Sequence, residues 1–164
     1  MTYVRFAPAL LMCWLATVVD AQVMIDDFSD LDFVTGTLWE GNQDNFIVNA
    51  AQQLQLNDDV AAQSVLYTGF SDTPLAQKEW RFWIHQSFAG SDNNQSRVYF
   101  AAQGIPGNYT GAGSAGVTGY FLKFGEAGSL DKIKLCRDDG TGSITELAES
   151  TDDISGGVLL YIRI

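Results

Sequence analysis

The chain has 164 residues, and apolar residues make up 46% of it, which is enough for one folded domain of modest size. Its formal net charge of −11 at pH 7 argues against nucleic acid and anionic membrane surfaces as partners, because both require clustered Lys and Arg. One histidine and two cysteines exclude a zinc site of the usual Cys/His type.

Residues 1–21 predict a cleavable export signal. Arg5 supplies the positive start, and residues 9–19 form an apolar core that is too short to span a bilayer. Small residues follow up to Ala21, where a signal peptidase would cut. We therefore expect the mature chain to begin at Gln22 and the protein to be secreted or held at the cell surface, with no transmembrane segment.

The first segment of the mature chain, residues 26–32, contains four aspartates. Calcium prefers clustered carboxylate and carbonyl oxygens, so Asp30 and Asp32 are candidate calcium ligands. The alternative is a solvated turn that precedes Phe33. Calcium is the only cofactor that the sequence suggests.

From residue 53 onward the apolar residues recur with a period of two, which is typical of strands with one buried face. In residues 80–88, Phe82 and Ile84 share the predicted core face, whereas Trp83 and His85 point the other way. The same alternation predicts strands in residues 53–57, 64–67, 97–100, 119–124, 132–135, 143–147 and 157–164.

Turn-forming sequences separate these strands, for example in residues 90–94, 104–119 and 138–142. No helix is predicted after residue 21. Many short strands without helices between them predict an all-β fold, an antiparallel two-sheet sandwich in which Asp139 and Gly140 make a hairpin turn.

The final apolar run stops at Ile164 without a turn or a polar tail. A strand needs a partner on each edge or a device that blunts the edge, and this run offers neither. We therefore expect residues 22–164 to form an incomplete sandwich, truncated at its C-terminal end. The lone cysteine of this domain, Cys136, lies in a predicted strand and is expected to pack as a small apolar side chain.

Catalytic motifs are weak. Residues 111–116 fit a Gly-x-Gly-x-x-Gly spacing, but a strand follows where dinucleotide binding requires a helix, so a flexible loop is favoured. A glycosidase needs two facing carboxylates. The odd spacing of Glu146 and Glu149 predicts opposite faces, and Asp138 and Asp139 are predicted in a turn. No catalytic residue is predicted.

Six segments carry a resemblance to a known family: residues 26–30, 39–41, 53–57, 79–83, 97–99 and 119–126. In these segments the chain resembles the N-terminal modules of large exported bacterial surface proteins, which look like concanavalin A-like (laminin G-like) jelly rolls, some of them preceding lamin-tail-like domains. The resemblance covers most of residues 24–164 and implies a fold, a compartment and further downstream domains, while leaving the ligand open.

Trp83, His85, Arg97 and Tyr99 form the candidate binding surface. They share the non-core side of two strands that we expect to be neighbours in one sheet. An aromatic ring accepts the apolar side of a sugar, and Arg or His bonds its hydroxyls. The sequence thus favours a non-catalytic, lectin-like or adhesive module that binds polysaccharide or a surface protein. The alternatives are a purely structural spacer and the first part of a glycoside hydrolase.

Overall fold

The computed structural model describes residues 25–70, 79–104, 116–128, 131–154 and 158–164. The predicted export signal and the glycine-rich residues 111–115 lie outside these ranges. Within them the chain is built from β-strands, and no helix is long and apolar enough to cross a membrane.

Every strand that the sequence predicts is present, and two short strands precede them. All pairings are antiparallel, in a four-stranded sheet of order β6-β7-β8-β9 and three two-stranded sheets, β1-β4, β2-β3 and β5-β10. The elements are β1 (Glu40–Gly41), a 3-10 turn (Gln43–Asn45), β2 (Phe46–Val48), β3 (Leu54–Leu56), β4 (Leu66–Tyr67), β5 (Arg81–Gln86), β6 (Ser96–Gln103), β7 (Thr118–Phe124), β8 (Ile133–Asp139), β9 (Ile144–Glu149) and β10 (Val158–Arg163).

The predicted hairpin joins β8 to β9, but its turn is shorter than expected. The prediction that Asp138 and Asp139 lie in the turn is wrong, because β8 continues through Asp139. Asp138 is almost fully buried, and its carboxylate accepts a hydrogen bond from the backbone N–H of Gly140 at 3.1 Å. Gly140 then turns the chain with φ of +80°, a conformation that glycine adopts readily.

The final apolar run forms β10 and pairs with β5. Each residue of β10 lies opposite one of β5, from Val158 against Gln86 to Arg163 against Arg81. The ladder continues one step further, since Ile164 and Trp80 exchange both backbone hydrogen bonds, at 3.1 and 3.2 Å. The predicted final strand is thereby confirmed over Val158–Arg163, and residue 157 lies outside the described residues.

One hydrophobic cluster draws on both the β5-β10 sheet and the four-stranded sheet. Its buried residues include Phe124 of β7, which is 1% exposed, and Ile162 of β10. Phe82 and Ile84 pack against it, so their predicted core orientation is confirmed. Alternation brings these side chains to one face of each strand. The remaining cluster members include Val98, Phe100, Leu122, Ile133, Leu135, Ile154, Leu160 and Ile164.

Residues 25–70 contain the β1-β4 and β2-β3 sheets, together with polar contacts within this part of the chain. The indole Nε1 of Trp39 donates to Asp26 Oδ2 at 2.9 Å, and its ring packs at 6.0 Å from that of Phe28. Asp58 accepts a hydrogen bond from the Ser64 hydroxyl at 2.7 Å, which lowers the pKa of Asp58. These contacts tie the loops around the short strands together.

Gly90 and Gly125 approach each other so closely that neither tolerates a side chain easily. A Cβ added to Gly90 would lie 2.4 Å from the Cα of Gly125. This Cα is a backbone atom, so it cannot move aside as the end of a flexible side chain could. We expect Gly90→Ala to lower the free energy of unfolding by about 1 to 3 kcal/mol, as overpacking does. Denaturant melts measure this loss. The matched control is Gly69→Ala, because no atom lies within 4 Å of that added Cβ; equal effects of the two changes would contradict the expectation.

Candidate functional site

The face of the β5-β10 sheet that points away from the hydrophobic cluster is the candidate functional site, here called the outer β5-β10 face. It consists of three pairs of residues that lie directly opposite each other on the two strands. Alternation places them there, since the residues between them belong to the cluster. The pairs are Arg81 with Arg163, Trp83 with Tyr161, and His85 with Leu159.

An exposed aromatic pair occupies the centre of this face. Trp83 is 66% exposed and Tyr161 is 49% exposed. Their ring centroids lie 4.9 Å apart with the planes tilted by 51°, as expected for aromatic residues opposite each other on neighbouring strands. The pair therefore presents a broad apolar surface to solvent next to polar groups.

An ion-pair cluster lies at one end of the aromatic pair. Glu79 contacts the guanidinium groups of both Arg81 and Arg163, the latter at 2.8 Å between Glu79 Oε2 and Arg163 Nη2. Hydrogen bonds from Arg81 and then Arg163 lower the pKa of Glu79. Exposed ion pairs contribute little to stability. In the ladder, the arginine pair lies two residues along each strand from the aromatic pair.

Arg97 and Tyr99 lie elsewhere, on the face of the four-stranded sheet that points away from the cluster. The prediction that their strand neighbours β5 is wrong, because β6 pairs with β7 and β5 pairs with β10. Tyr99 stacks on Phe121 at 4.6 Å, and its hydroxyl lies 3.1 Å from Asp138 Oδ2. The Arg97 guanidinium lies 5.4 Å from the centre of the same ring. Of the four predicted residues, Trp83 and His85 lie on the outer β5-β10 face, whereas Arg97 and Tyr99 share a face of the other sheet.

The same face of the four-stranded sheet carries an ion-pair network around Lys134. Its ammonium group contacts Glu126 and Glu146, each at 2.8 Å, and these hydrogen bonds raise the pKa of Lys134. A bulge in β9 places Glu146 and Glu149 opposite Cys136 and Lys134, hence on one face, so the predicted opposite orientation is wrong.

Cys136 lies on this face and is 3% exposed. Burial raises the pKa of its thiol, so the reactive thiolate is scarce at neutral pH. We expect a thiol reagent such as dithionitrobenzoate to leave the folded protein unmodified and to label Cys136 fully once denaturant is added. Rapid labelling without denaturant would contradict the burial of this side chain.

Asp30 and Asp32 each cap a local turn. Asp32 Oδ1 accepts hydrogen bonds from the backbone N–H groups of Val34 at 2.8 Å and Thr35 at 2.7 Å, and Asp30 accepts one from Asp32 at 3.3 Å. The bonds from Thr35 and then Val34 lower the pKa of Asp32. In the described part of the chain, no three Asp, Glu, His or Cys side chains cluster as metal ligands. Calcium binding at Asp30 and Asp32 stays a prediction.

Sequence reasoning missed five residues of the site, which are Glu79, Arg81, Leu159, Tyr161 and Arg163. Alternation in the final run, with Leu160 and Ile162 towards the core, was sufficient to orient Tyr161 outward. The missing information was its partner, because β5 and β10 are far apart in the sequence.

Comparisons of the chain with protein families, with curated proteins and with solved structures find no match.

Proposed function

We propose that this protein is an exported, non-catalytic module that binds carbohydrate through the outer β5-β10 face. The observation that carries the proposal is the exposed pair of Trp83 and Tyr161, flanked by Arg81, His85 and Arg163. Large aromatic side chains are ordinarily buried at least in part, and exposed aromatic surface rimmed by polar groups marks binding sites.

The chemistry of this face suits a sugar. A sugar ring has an apolar side of C–H groups, which packs on an aromatic ring, and hydroxyl groups around its edge, which accept hydrogen bonds from guanidinium and imidazole N–H groups. Trp83 and Tyr161 supply the rings, and Arg163 and His85 supply donors on either side along the strands. Such a face can bind a sugar without a conformational change.

The proposed fold is a jelly-roll sandwich of the concanavalin A-like type. It is supported by the cluster that joins the core faces of β5 and β10 to those of the four-stranded sheet. The proposed compartment is supported by the export signal that the sequence predicts in residues 1–21. Mass spectrometry of secreted material should find Gln22 as the first residue, and an intact Met1 would contradict export.

The proposal is tested by a broad glycan array and by retention on immobilised polysaccharides, with purified exported protein. We expect at least one polysaccharide to bind, and excess of the same soluble polysaccharide to compete. The absence of binding to every glycan would contradict the proposal.

The second candidate is a structural spacer whose outer β5-β10 face packs against a neighbouring domain. Two observations favour it: Leu159 is 62% exposed on this face, and an apolar groove of about 370 Å³ runs beside β10, with Ile133, Leu135 and Ala148 in its lining. A neighbouring domain would bury both. In that case alanine at Trp83 weakens the contact between domains, and no glycan binds.

A further inference from the structure

We propose that the ligand of the outer β5-β10 face is an acidic polysaccharide whose uronate carboxylates bind Arg163 and Arg81. This inference rests on the proposed function and specifies its substrate class.

The charge of the outer β5-β10 face is opposite to that of the chain. The protein carries a net charge of −11, yet the three basic side chains Arg81, Arg163 and His85 lie on this face, and none of its six residues is Asp or Glu. The Arg163 side chain is 68% exposed and that of Arg81 is 51% exposed. Glu79 balances one of the two guanidinium charges. A locally cationic surface attracts an anionic ligand, even on a protein that is acidic as a whole. A neutral ligand gains no such electrostatic attraction.

The spacing of the face fits a polymer that runs along the strands. Successive residues on one face of a strand lie about 7 Å apart, so the Arg81 and Arg163 pair lies about 7 Å from the aromatic pair. A sugar stacked on Trp83 therefore places the next sugar of the chain beside the guanidinium groups. A carboxylate on that second sugar comes within reach of Arg163.

Arg163 has donors to offer such a carboxylate. A guanidinium group carries five N–H donors, and the contact with Glu79 involves the Nη2 atom. The planar group matches a carboxylate with two parallel hydrogen bonds, which a neutral sugar hydroxyl cannot accept in the same way. Recognition of the acid therefore adds to the stacking on the aromatic pair.

The test compares each acidic polymer with its own methyl ester, which removes the charge and keeps the sugar. Polygalacturonate, alginate and hyaluronan, each with its methyl-esterified form, are placed in native gels, and the retardation of the full exported protein gives its affinity. We expect at least one uronate polymer to bind about 10-fold or more tightly than its ester, as charge-assisted hydrogen bonds do. This preference should shrink as NaCl screens the charges.

Two matched variants locate the effect. Arg163→Gln should remove most of the preference for the acid over the ester. Arg137→Gln removes the same charge from an exposed position of β8, in the other sheet, and should keep the preference. Equal losses in both variants would mean that overall charge decides binding, and this would overturn the assignment to Arg163.

The other outcomes separate this inference from the proposed function. If an acid and its ester bind equally well, or if only neutral glycans bind, the acidic substrate class is wrong and the carbohydrate-binding proposal stands. If no uronate polymer and no other glycan binds, both are wrong.

Discussion

Replacing Trp83 with alanine is expected to abolish retention on the polysaccharide ligand while leaving the protein folded. Trp83 offers the largest ring surface of the outer β5-β10 face, and truncating a central Trp in a binding surface costs about 2 kcal/mol or more, a factor of about 30 in affinity. Stability should fall by no more than about 1 kcal/mol, because Trp83 is 66% exposed and an aromatic pair such as that of Trp83 with Tyr161 contributes about this much. Affinity electrophoresis and thermal melts measure the two quantities.

Tyr120→Ala is the matched control for this variant. Tyr120 is also an exposed aromatic residue, but it lies on β7 in the four-stranded sheet, away from the outer β5-β10 face. It should keep full retention. A large loss of stability in Trp83→Ala, of about 3 kcal/mol or more, together with unchanged retention, would contradict the account and favour the spacer.

Replacing Phe124 with alanine is expected to have the opposite signature. Phe124 is 1% exposed at the centre of the hydrophobic cluster, opposite Ile133 on β8 and Ser96 on β6. Removing a buried phenyl ring costs about 3 to 5 kcal/mol, because apolar burial is lost and a cavity remains. The melting temperature should fall by roughly 10 °C for a domain of this size, and material that remains folded should still bind.

Leu147→Ala is the control for the core variant. Leu147 lies on β9 and is half-exposed, so its truncation should change the free energy of unfolding by less than about 0.5 kcal/mol. Urea denaturation of the two variants gives both numbers. A Phe124→Ala protein as stable as Leu147→Ala would show that the two sheets do not share one core.

The strands and their buried faces could be predicted from the sequence because both follow from local alternation. Phe82 and Ile84 point towards the core and Trp83 points away, whichever strand lies next to β5. The turn after β8 was predictable from Gly140. Its start was not, because Asp138 lies inside β8, where its carboxylate accepts a hydrogen bond from the Tyr99 hydroxyl of a strand distant in the sequence.

Strand pairing is a long-range property, and the errors at the candidate site come from it. Trp83 and Arg97 are close in sequence, but their strands belong to different sheets, and the true partner of Trp83 is Tyr161. A bulge is equally hidden, since one extra residue in β9 moves Glu149 onto the face of Glu146. Residue types identified Trp83 and His85, two of the six residues of the outer β5-β10 face, and only the register supplied the rest.

The central claim is that Trp83 of the outer β5-β10 face contacts the carbohydrate ligand. The most direct measurement of it is to add a fragment of a polysaccharide that binds to ¹⁵N-labelled exported protein and to follow the indole N–H signals of the tryptophans. Trp83 is exposed on the proposed site, whereas Trp39 donates to Asp26 and Trp80 packs against Phe100 at 5.4 Å. A Trp83→Phe variant assigns the signal. The account predicts a saturable shift of Trp83 with Trp39 and Trp80 unchanged. A Trp83 signal that stays still while the ligand binds would contradict it.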